Sequence, residues 1–119
     1  MGDFHDMLHR NMAKAEAIYP SLRRKYQWQH VKLIFTEEEN GKAGQSWQSS
    51  STIEVNFHYA DSYKVIEWVI VHELCHIITP LIYPNDHLVC SDRDLDENHS
   101  INWVIVMQNM GYDPSTHIG

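Results

Sequence analysis

His72-Glu73-Leu74-Cys75-His76 is the stretch of this chain best suited to chemistry. On a helix, residues four apart share a face, which would bring the two imidazoles to about 5–6 Å at Cβ. At that separation both rings can reach one zinc ion at about 2.0–2.1 Å. Glu73 adjoins the first histidine, where its carboxylate can take a proton from water that the metal has acidified to a pKa near 7. The pentad thus offers two ligands and a base. With 9 His and 8 Glu in 119 residues, chance alone would produce such a pentad in roughly 4% of chains, so its surroundings must decide.

Those surroundings read as a buried helix. Asp61 or Ser62 can cap its start, Pro80 is expected to stop it, and no Gly or Pro interrupts residues 65–79. Val65, Ile66, Trp68, Val69, Ile70, Val71, Leu74, Ile77 and Ile78 make it apolar almost all round. Two histidines and a glutamate in such a helix would be costly without partners, which favours a metal over satisfied core histidines. Cys75 falls on another face and reads as a small core residue.

A catalytic zinc takes three protein ligands and leaves a fourth position open. A second helix is expected from about Glu97 to Met110, stopped by Gly111, with His99, Trp103, Val106 or Met107, and Met110 on one face. His99 is therefore the expected third ligand, with Asp96, Glu97, His87 and His117 as competitors. Asp92, Asp94 and Asp96 resemble the opening of a calcium loop, but Glu97 and Trp103 stand where glycine and an acid are required, so calcium is not expected. His5 and His9 are also four apart, yet no base or further ligand follows them.

The elements before the pentad must position it. Residues 3–18 show helical periodicity, broken by Pro20, with a short helical piece to follow over Ser21–Tyr26. Gln29–Thr36 alternates as a strand, Asn40-Gly41 signals a hairpin, and Gly44–Gln48 and Thr52–His58 read as two more strands. The expected class is α+β, with an N-terminal helix, a small three-stranded, mostly antiparallel sheet, the pentad helix and a C-terminal helix. An exposed edge of that sheet can pair with an extended peptide. The long stretch Leu81–Asp96 reads as an irregular loop.

Length and composition bound the rest. The 119 residues suit one domain spanning 1–119, with 43% hydrophobic and 21% charged residues, as in soluble globular proteins. A formal net charge of −7 argues against nucleic-acid binding, and Arg23-Arg24-Lys25 reads as the end of a helix. No signal peptide is expected, no apolar stretch is expected to reach the ~18 residues of a membrane span, and two cysteines point to the cytoplasm. No feature assigns an oligomeric state.

With those residues in view, the chain resembles a family. His72-Glu73-Leu74-Cys75-His76 followed by Asn98-His99-Ser100-Ile101-Asn102-Trp103 is similar to SprT-like and WLM-type small zinc metallopeptidases, with an aromatic four places after the third His. Gly44-Gln45-Ser46-Trp47 leading to Ile53-Glu54-Val55-Asn56 resembles the paired strands that precede the metal helix in that family. Ser100 stands where SprT proteins usually carry glycine. The longer metzincin pattern does not fit, because Thr79 and Ile82 occupy its glycine and histidine positions. The resemblance implies a minimal zincin fold, Zn2+ held by His72, His76 and His99, Glu73 as general base, and a protein or peptide substrate. Tyr83, Tyr112, His87 and His117 are candidate donors to the oxyanion. The alternative is a non-catalytic zincin-fold binding or regulatory module of phage or toxin-system type, with a structural metal.

Overall fold

A computed structural model describes residues 2–84 and 101–114. In chain order they form α1 (Gly2–Ile18), a 3-10 turn (Pro20–Arg24), α2 (Tyr26–Gln29), β1 (Lys32–Thr36), β2 (Gly44–Trp47), β3 (Thr52–Asn56), α3 (Tyr63–Ile82) and α4 (Ile101–Asn109). The fold is α+β and compatible with a minimal zincin fold. Asp92, Asp94 and Asp96, the second cysteine Cys90 and the expected Leu81–Asp96 loop from residue 85 onward lie outside the described residues.

The sheet departs from expectation in its topology. Its strand order is β1-β3-β2, with β1 parallel to β3 and β2 antiparallel to β3, so it is mixed rather than mostly antiparallel. Asn40-Gly41 does not close a hairpin between neighbours, because β3 lies between β1 and β2. Instead the connection crosses the C-terminal end of β3, where Asn56 holds it. The buried Asn56 amide donates to the Glu38 carbonyl at 2.8 Å and to Asn40 Oδ1 at 3.1 Å. Gly41 takes φ 79°, a conformation that favours glycine, and its N–H donates to the Tyr59 hydroxyl. Ile53 and Val55 are fully buried as the alternation requires, and in β1 Leu33 is buried while Ile34 is exposed.

α3 runs through the middle of the core. Ser62 caps it, accepting from the Val65 N–H at 3.3 Å, and ten of its residues are buried. The helix does not stop at Pro80 but continues to Ile82. A proline removes one backbone donor, and that loss is tolerable three residues from the end because the surrounding bonds hold. The Thr79 hydroxyl donates to the Cys75 carbonyl at 2.7 Å, and the Tyr83 N–H donates to the Thr79 carbonyl at 2.7 Å. By length and composition α3 is also apolar enough to cross a membrane, which corrects the expectation that no stretch reaches that span. Here it packs against the sheet, α1 and α4.

Polar clasps tie the N-terminal elements to this core. Asn11 Nδ2 and Arg10 Nη2 both donate to Glu67 Oε2 at 2.9 Å, joining α1 to α3. The buried Trp28 indole donates to Glu16 Oε2 at 2.8 Å, which fixes α2 on α1. α4 ends as the glycine signal predicts. Gly111 has φ 91°, its N–H donates to the Gln108 carbonyl, and the Tyr112 N–H reaches back to the Met107 carbonyl. Trp103, Val106, Met107 and Met110 form the buried face of this segment.

Candidate metal centre

The helical spacing of α3 brings His72 and His76 together. Their ring centroids are 5.1 Å apart with planes at 66°. Trp68, one turn earlier, lies over His72 at 4.7 Å and 36°. From α4, Trp103 meets His72 edge-on at 5.0 Å and stacks on His76 at 5.3 Å. Two indoles therefore wall the two imidazoles, and Trp103 is itself buried. This is why the start of α4 sits beside the histidine pair.

Glu73 occupies a drier position. Only 7% of the residue is exposed, and its Oε2 lies 4.0 Å from His72 Nε2. Burial pushes its carboxyl up to about 7, partly opposed by a hydrogen bond from the Ser46 side chain on β2. A carboxyl with that value can both take and return a proton near neutral pH. Ser46 can stand there because Gly44 lets β2 run close to α3. A Cβ on Gly44 would collide with Val69 Cγ1 and come within 3.3 Å of Glu73 Cγ. Gly44→Ala is accordingly expected to destabilise the protein by about 1–3 kcal/mol through overpacking. The urea midpoint at constant slope measures this.

The raised Glu73 value also makes the metal-free protein pH-dependent. The folded state binds a proton up to about 7, whereas the reference carboxyl releases it near 4.5. Stability due to this group is therefore greatest below the lower value, falls between the two, and is lowest above 7. The full fall is about 3 kcal/mol. In Glu73→Gln that fall should vanish, and the difference between the two urea-midpoint-versus-pH curves in the presence of chelator reads it directly.

The donor set suits zinc. Two imidazoles share one helix face and a buried carboxylate adjoins the first, so α3 could supply two of the three protein ligands that a catalytic zinc site needs. Among the described residues no group of three or more His, Cys, Asp or Glu is gathered as a metal site. The expected third ligand His99 lies outside the described residues, as do Asp96, Glu97, His87 and His117. Tyr83 neighbours Tyr19, and Tyr112 neighbours Lys14, Glu67 and Arg10. His5 is exposed, at the edge of the Phe35 ring. Burial raises the Cys75 thiol, and Cys75 is a free core residue as expected.

Ser46, Gly44 and Trp68 received no role from the sequence. Gly44 at the head of a strand carried a usable signal, since glycine there marks close approach by another element. Trp68 precedes His72 by four, the same spacing that joins the histidines.

The model of the SprT-like family matches residues 8–118. The chain belongs to the SprT-like family. No curated protein and no solved structure matches it. The SprT-like family is metallopeptidase-like, and the match begins within α1. The pentad helix, the strands that lead into it and α4 all fall inside the matched residues.

Proposed function

We propose that this SprT-like protein is a zinc-dependent endopeptidase. The observation that carries the proposal is the juxtaposition on α3 of two adjoining imidazoles with a buried carboxylate beside the first of them. His72 and His76 would hold the metal, with His99 as third ligand. His99 precedes the first described residue of α4 by two positions in the sequence. Trp103, three positions into α4, already touches both imidazoles.

The chemistry that bound zinc supplies is Lewis-acid activation of water and of the scissile carbonyl. Glu73 takes the proton of the attacking water on its carboxylate and delivers it to the leaving amine nitrogen. The Ser46 hydroxyl orients that carboxylate from β2. β2 is an edge strand, so its outer side can pair with an extended polypeptide beside Glu73. The substrate is thus an unfolded segment of protein or a peptide, acted on in the cytoplasm.

Incubating zinc-loaded protein with an unfolded polypeptide such as denatured casein tests the reading. Mass spectrometry should find internal cleavage products with the wild type and none with Glu73→Gln. Identical patterns from both proteins, or no products from either, would count against it.

A further inference from the structure

We propose that Trp68 is a positioning residue for the metal centre, holding the His72 ring in its ligating orientation by aromatic contact. The inference rests on the reading of His72 and His76 as metal ligands and concerns a residue to which that reading gives no task. A metal-ligating imidazole is normally oriented by a hydrogen bond to its second nitrogen, and loss of such an outer partner weakens metal binding about 10–100-fold. Here the neighbours of the histidine pair include two indoles. Trp103 contacts both rings but is 2% exposed and belongs to the core, so its packing alone accounts for its presence.

Trp68 is different. It is partly exposed, and it lies one helical turn before His72 with its ring 4.7 Å away at a 36° tilt. Its indole N–H is buried and has no acceptor among the described residues. An unpaired buried donor lowers stability, a penalty that leucine or methionine would not carry. Hydrogen bonding therefore does not explain an aromatic side chain at this position, whereas a flat face against the imidazole does. That face restricts rotation of the His72 ring before any metal arrives, so less ordering remains to be done on binding.

Zinc affinity measured by competition with a chromogenic chelator tests this in the full chain. Trp68→Met and Trp68→Leu remove the ring, and Trp68→Phe keeps a flat face. The two non-aromatic variants are expected to bind zinc about tenfold or more weakly, with altered visible absorption of bound Co2+. Trp68→Phe should stay within about threefold of wild type and keep its Co2+ spectrum. Urea denaturation of each metal-free variant identifies those that fold. A folded non-aromatic variant with wild-type affinity would overturn the inference, as would a Trp68→Phe protein as weak as Trp68→Met. A wild-type protein that binds no zinc would instead overturn the metal reading and this inference together.

Discussion

Glu73→Gln is expected to slow peptide hydrolysis by about a hundred- to ten-thousandfold while leaving bound metal at the wild-type level. The substitution keeps the side chain's size and can keep a hydrogen bond with Ser46. What it removes is a proton acceptor placed next to His72, 4.0 Å from its Nε2. Because glutamine cannot be charged, the variant should also be more stable than wild type above pH 7 when metal is absent. A variant that is inactive, metal-loaded and more stable when stripped would separate loss of a base from loss of the fold. Unchanged kcat would remove Glu73 from the mechanism.

Stripping the metal is expected to abolish hydrolysis and to lower the thermal midpoint, with both restored by added zinc. A ligand that binds only the folded chain stabilises it by about 2.7 kcal/mol at a hundredfold excess over Kd, and about 4.1 kcal/mol at a thousandfold excess. His72 and His76 come from adjacent turns of one helix, so their pairing exists only when α3 is formed. The midpoints of His72→Ala and His76→Ala should therefore be insensitive to chelator. Calorimetry with and without chelator checks this. Equal chelator shifts in wild type and His76→Ala would place the stabilising metal elsewhere.

Much of this arrangement was legible because it is local. The Ser62 cap, the stripe on α1, the alternation of Ile53 and Val55 and the glycine stop after α4 each depend on residues a few positions apart. Parallel pairing of β1 with β3 depends on something longer in range. β2 and β3 are joined by a short turn over residues 48–51, and β3 then pairs with both neighbours. Asn56, at a position that alternation assigns to the outside, is buried because it anchors the crossing loop. Pro80 misled for a related reason: a proline breaks a helix interior but is accommodated in a last turn whose remaining bonds are intact.

At the candidate centre, the pentad was legible because helical period fixes which side chains meet. Ser46 and Gly44 were not, since their closeness to Glu73 follows from how the edge strand lies on α3. Trp103 was placed correctly on the apolar face of the last helix, yet its contact with both imidazoles depends on the docking of α4 against α3.

The most direct test is the metal content of wild type and His99→Ala, purified without added metal and measured by mass spectrometry. About one zinc per wild-type chain and a large loss in the variant are predicted by a three-histidine centre. Wild-type protein free of zinc would contradict the metallopeptidase account, and a full complement in His99→Ala would contradict the assignment of the third ligand.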